Sequence, residues 1–222
     1  MTAVIHGRVS PGYEAALDAF AASFERGEEL GAGFAVFAEG EKVVDVWAGF
    51  TDKAETAPWA EDTLVCVYSS GKAVLARLIA EAVSAGALDY ERAVATDWPD
   101  FAAEGKGAVT LAEALSHQAG LCGFADPIPP AEWAQREAIT ARIAVMAPLW
   151  PPGTAAGYHP QTVGFIADEA LRRASGRGAG AILREDFFAA RGIDVHCGLG
   201  AAEIARAAFM TKPPKAPEHR KS

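Results

Sequence analysis

Cysteine is scarce here and dispersed: Cys66, Cys122 and Cys197 are the only three in 222 residues. An odd, widely spaced set supplies neither a disulfide framework nor a Cys-x-x-Cys pair. The thiols are expected to be reduced and packed as small apolar groups. Cations are also in deficit, with 20 Lys and Arg against 29 Asp and Glu, for a formal charge of −9. Phosphate backbones need clustered basic side chains, so nucleic acid is excluded as a partner. No apolar run reaches the length of a membrane span. The opening MTAVIHGRVSPG lacks the basic and apolar regions of a secretory signal, and the expected location is the cytoplasm. No G-x-x-x-x-G-K-[ST], G-x-G-x-x-G or H-E-x-x-H match occurs, and His117, His159 and His196 stand apart. No cofactor or metal is therefore implied.

What is present is an ordinary globular composition, 50% apolar and 22% charged. Ser10-Pro11 reads as a helix start, with Tyr13, Leu17, Phe20 and Phe24 on one face and Gly27 at the end. Residues 33 to 38 and 43 to 49 are short apolar runs around Glu39-Gly40-Glu41, which predicts a β-hairpin. A two-stranded sheet is marginal alone, and few further strand candidates follow. From residue 73 to 85 the chain is apolar on nearly every side, which predicts a centrally buried helix ended by Gly86. Further helices are expected over 89 to 98, from Thr110 through Leu115, over 131 to 146, 161 to 174 and 179 to 190. Proline at 148, 151 and 152 breaks the chain between two of them. The Pro-rich basic ending predicts a disordered tail, assigned to 206–222, after one domain over 1–205.

The chemistry-bearing candidate is Ser69-Ser70-Gly71-Lys72 at the head of the apolar helix. Positions i and i+3 share a helix face, so Lys72 can reach the Ser69 hydroxyl. The positive end of the helix favours a serine alkoxide, and burial favours a neutral amine able to accept a proton. With 8 Ser and 7 Lys in the chain, chance alone gives about 0.25 matches to S-x-x-K, so the spacing is weak evidence. The local residues leave two readings open. In one, Ser69 is a nucleophile and Lys72 its base. In the other, a serine caps a core helix and Lys72 is solvated.

Other segments bear on that choice. TLVCVYSSGKAV resembles the first motif of serine β-lactamases, penicillin-binding proteins and family VIII carboxylesterases. LSHQAGL, residues 115 to 121, resembles an L-x-H-x-x-G-L segment of that superfamily. PPGTAAGYHPQTVGFIADEALRRASG, residues 151 to 176, resembles its P-G-x-x-x-x-Y segment and following helix. The resemblance runs from residue 7 to about 200 and is strongest with the esterase-like branch. It implies an α+β, β-lactamase/transpeptidase-like fold, a helical subdomain packed on an antiparallel sheet. It also implies a serine acyl hydrolase with catalytic Ser69, Lys72 and Tyr158, and a small ester or lactam as substrate.

The departures matter equally. Class C β-lactamases carry Y-x-N where this chain has Tyr158-His159-Pro160, and losing that polar contact favours an esterase over a β-lactamase or D-Ala-peptidase. His117 is assigned to a structural turn. The K-T-G or H-x-G strand of the family is absent before the chain ends, and Thr211-Lys212-Pro213 does not replace it. A C-terminally truncated domain is the expectation, with an incomplete sheet, an open apolar face and one oxyanion donor fewer. Such a chain is expected to be weakly active or inactive by itself. The alternative of another class is an inactive remnant or binding module.

Overall fold

The alternating residues 43 to 49 build the centre of a small sheet. A computed structural model describes residues 3 to 211. The chain divides into two compact units, Met1–Cys66 with Leu199–Ser222, and Val67–Gly198. In the first, β1 (Ile5–Val9), β2 (Gly31–Ala38) and β3 (Glu41–Gly49) form an antiparallel sheet in the order β1-β3-β2. Val44, Val46 and Ala48 are buried on one face of β3, two residues apart, as the pleat requires. Val44 lies opposite Val9 and Val36, and Val46 opposite Gly7 and Phe34. The helix α1 (Glu14–Glu25) packs against β1 and β3. Its Phe20 stacks on Phe34 with ring centres 6.4 Å apart.

The hairpin thus has a third strand beside it. The sequence of β1, IHGRV, carries no alternation that predicts a strand. Gly7 is nevertheless required there: its φ is +101°, and a Cβ would lie 2.0 Å from the Asp45 carbonyl oxygen. Ser10-Pro11 does not open α1. Ser10 continues the ladder by donating its N–H to Val43 O at 2.8 Å. Gly12, at φ +92°, then turns the chain, and the Glu14 carboxylate accepts the Gly12 N–H at 2.9 Å.

Residues 206 to 209 fall within the expected tail, yet they bond into this unit. Arg206 O accepts the Leu64 N–H at 3.0 Å, Leu64 O accepts that of Ala208 at 2.7 Å, and Phe209 donates to Thr51 O at 2.8 Å. Backbone groups paired in this way are not left to solvent. The rest of the expected tail, from 212 onward, lies outside the described residues.

The second unit is helical: α2 (Gly71–Ser84), α3 (Leu111–Leu115), α4 (Arg136–Val145), α5 (Thr162–Ser175) and α6 (Ala179–Ile182), which runs on as a π-helical stretch, Leu183–Ala189. The central helix is α5, not α2. Val163, Ile166, Ala167 and Leu171 are buried at helical spacing, and α5 touches α2, α3 and α4. Only Leu78 and Ile79 are fully buried on α2, halfway along it. Thr110 caps α3 as expected, through a capping box with Glu113: the Glu113 N–H reaches Thr110 Oγ1 at 3.1 Å, and Glu113 Oε2 accepts the Thr110 N–H at 2.9 Å.

Residues 89 to 98 do not make the expected helix. Their backbone bonds run sideways, Val94 N to Val109 O at 2.9 Å and Leu111 N to Arg92 O at 3.0 Å. Only short 3-10 segments remain, Val94–Thr96 and Pro99–Gly105. Likewise 131 to 146 splits into a 3-10 turn, Pro130–Ala134, and α4. Gly86, at φ +74°, ends α2 as predicted, and Gly176, at φ +73°, ends α5 in the same way. Among the described residues, no helix is long and apolar enough to cross a membrane.

Candidate functional site

Ser69 sits in a 3-10 turn, Tyr68–Ser70, that feeds directly into α2. Tyr68 before it has φ +47°, a conformation that costs a non-glycine residue about 1–2 kcal/mol. The turn presents the hydroxyl to solvent, and Lys72 follows one helical turn later. Lys72 Nζ lies 3.2 Å from Ser69 Oγ. Tyr158 arrives from the loop before α5 and places its hydroxyl 2.6 Å from the same oxygen. The three side chains singled out in the sequence therefore meet at one atom, Ser69 Oγ.

Lys72 has two further partners. Its Nζ donates to the Pro160 carbonyl at 2.7 Å and stands 5.1 Å from the centre of the Tyr158 ring. An ammonium that donates to Ser69 leaves the serine proton free to point at Tyr158. The Tyr158 phenol is held below its ordinary pKa, first by the hydrogen bond with Ser69, then by the hydrogen bond and charge of Lys72. Ser69 is exposed, Lys72 is half-buried, and Tyr158 is 53% exposed. The expectation of a deeply desolvated amine is thus corrected. The buried part of α2 begins two turns beyond Ser69, at Leu78, and leaves the first turn open.

Two histidines stand behind Tyr158. His117, assigned to a turn, does occupy one, at φ +67°. Its ring meets that of Tyr158 edge-on, with centres 5.1 Å apart. Its Nδ1 accepts the His159 N–H at 3.2 Å, and its carbonyl accepts the Gly157 N–H at 3.0 Å. Accepting at Nδ1 requires a neutral ring, and burial followed by the charge of Lys72 lowers the His117 pKa.

His159 is fully buried. Its Nε2 accepts the Leu121 N–H at 2.8 Å, so its proton lies on Nδ1 and goes to Gly157 O at 2.5 Å. Thr162 Oγ1 completes the brace by donating to Leu121 O at 2.5 Å. His159, Thr162 and the Pro160 carbonyl carry no motif of their own. The available signal for His159 is its place beside Tyr158. Among the described residues, no group of three His, Cys, Asp or Glu side chains is placed to hold a metal ion.

Burial lowers the His159 pKa below 6.5, which sets a pH dependence of stability. The unfolded chain protonates this histidine first as pH falls, so stability is full above about 6.5 and is lost as pH drops through the folded-state value. Thermal melts from about pH 7.5 to about pH 5 are expected to show this decline. His159→Gln, which keeps an acceptor but cannot titrate, is expected to make it shallower, the remainder coming from His117, whose pKa is lowered as well. An equally steep decline in the variant would assign the effect elsewhere.

The beta-lactamase family model matches residues 16–221. A penicillin-binding protein homologue from Caulobacter crescentus superposes with a TM-score of 0.90 at 47% identity, covering 97% of this chain and 58% of its own. A family VIII carboxylesterase gives 0.89 at 40% identity, covering 94% and 57%. The esterase/beta-lactamase LipL of Mycobacterium tuberculosis is 32% identical over 183 residues, which are 82% of this chain and 42% of LipL. The chain thus spans about half the length of these relatives. A class C beta-lactamase, at 18% identity and a TM-score of 0.73, shares the fold. With a β-lactamase/transpeptidase-like fold and a family match over most of its length, the chain belongs to the beta-lactamase family, a family of serine hydrolases.

Proposed function

We propose that the chain carries a serine acyl-hydrolase site acting on small carboxylic esters, with Ser69 as nucleophile and Lys72 and Tyr158 handling its proton. The observation that carries this reading is the convergence of the Lys72 amine and the Tyr158 hydroxyl on Ser69 Oγ, at 3.2 and 2.6 Å. Ser69 Oγ attacks the ester carbonyl carbon and gives up its proton. The tetrahedral adduct collapses as Tyr158 returns a proton to the leaving alkoxide. Water then frees the acyl group from Ser69 by the reverse relay.

Lys72 is the base expected from the sequence. The contacts favour a second reading of that single step. Tyr158 is nearer, its phenol is shifted toward the phenolate, and Lys72 already donates to Pro160 and Ser69. In that reading the proton runs to Tyr158 while the Lys72 charge stabilises the anion.

Esters are favoured over lactams because Pro160 stands where a lactam amide would find an asparagine side chain, and its carbonyl is occupied by Lys72. The similarity to a family VIII carboxylesterase points the same way. A fluorophosphonate probe is expected to form an adduct on Ser69 that Ser69→Ala abolishes, with p-nitrophenyl acetate hydrolysed and nitrocefin spared. Faster turnover of nitrocefin would move the assignment to lactams. A folded chain that takes no label would sink the hydrolase reading and leave a binding module or inactive remnant.

A further inference from the structure

We infer that His117 is a positioning residue for Tyr158, clamping the two peptide N–H groups on either side of it. The inference deepens the reading of Ser69, Lys72 and Tyr158 given above and rests on it for its effect on acylation. Its geometry stands separately. Tyr158 lies between Gly157 and His159. The Gly157 N–H goes to His117 O at 3.0 Å, and the His159 N–H goes to His117 Nδ1 at 3.2 Å. One residue therefore accepts from both flanking amides.

The φ of +67° at His117 is part of that arrangement. It turns the residue so that carbonyl and imidazole serve the same strip of chain, at a cost the two bonds offset. The His117 ring also lies against the Tyr158 ring. That contact limits the swing of a phenol that is 53% exposed and is otherwise met by Lys72 near its ring and by Ser69 at its tip. The clamp is itself anchored, because His159 ties back to Leu121 through Nε2, four residues past His117. Lys72, Tyr158 and His159 face His117. None of them is a carboxylate that would favour an imidazolium.

The test compares His117→Gly with His117→Asn in the full chain. Both residues accept a positive φ, so the turn is retained. Asparagine restores an acceptor near Nδ1, and glycine does not. The first readout is the titration of the Tyr158 phenol by ultraviolet absorbance, isolated from the other three tyrosines by subtracting Tyr158→Phe. It needs no activity. In His117→Gly the phenol is expected to titrate at higher pH than in the wild type, and in His117→Asn to return toward it. The second readout is the rate of fluorophosphonate labelling of Ser69, expected to fall about 10–100-fold in His117→Gly, the scale of a misplaced group, and to recover in His117→Asn.

A Tyr158 titration unmoved by His117→Gly would overturn the clamp. So would an asparagine variant no better than the glycine one. A wild-type chain that takes no label, but whose Tyr158 titration still depends on His117, would leave the clamp standing and remove the hydrolase reading.

Discussion

Replacing Lys72 with methionine is expected to slow acylation of Ser69 by about 10²–10⁴-fold while leaving thermal stability nearly unchanged. The loss follows from what the amine does at the site. It donates toward Ser69 Oγ at 3.2 Å, and its hydrogen bond and charge help to hold the Tyr158 phenol below its ordinary pKa. Methionine removes the charge and the donor together, so neither Lys72 nor Tyr158 remains able to draw the proton from Ser69. Stability is spared because the residue is half-buried on the open first turn of α2. The methionine keeps most of the aliphatic stem, and water can reach the Pro160 carbonyl. Lys72→Arg separates the two proton routes. Arginine keeps a positive charge but cannot accept a proton. If Tyr158 is the acceptor, the arginine variant should be faster than the methionine one. If Lys72 is, the two should be equally slow. Stopped-flow labelling with a fluorophosphonate measures all three rates, and an undiminished rate in Lys72→Met would remove Lys72 from the chemistry.

The sequence discloses this site unevenly, for reasons of range. That Lys72 can reach Ser69 is legible from their spacing, because one helical turn brings i and i+3 together, but the spacing leaves capping and catalysis both open and only the family-like segments decide between them. Tyr158 is 89 residues from Ser69, and only its place in a family-like segment singles it out. The Pro160 carbonyl escapes side-chain patterns entirely, since any residue there offers the same acceptor. The openness of the site is equally hidden. A largely apolar helix suggests burial, but which of its turns is covered depends on packing against α5. Local signals suffice where the cause is local, as at the α2 end at Gly86. They failed at β1, whose pairing depends on the missing side chain of Gly7, and over residues 89 to 98, where bonds to 109 and 111 replace a helix.

Two of the three segments that resemble family motifs, 115 to 121 and 151 to 176, turn out to be halves of one brace, and Gly120 is where it can be broken. Gly120→Ala is expected to destabilise the chain by roughly 2–4 kcal/mol. The backbone there has φ +72°, which any side chain resists. An added Cβ would also lie 2.9 Å from Pro148 Cβ and from the Trp150 carbonyl oxygen. Backbone cannot swing aside as the tip of a side chain can, so the turn and the 148 to 150 segment must separate. That separation strains the Leu149 N–H bond to Gly120 O, now 2.9 Å. It also pulls on Leu121, whose N–H and carbonyl hold His159 and Thr162. Gly123→Ala is the control, because that glycine has an ordinary φ and nothing within 4 Å of an added Cβ. Its cost should stay within about 0.5 kcal/mol, apart from the small change in unfolded-state entropy. Urea titrations of the two variants decide the matter. A Gly120→Ala chain as stable as Gly123→Ala would mean the turn and its neighbour yield freely. Tyr158 would then be held by its own contacts at Ser69 rather than by the brace behind it.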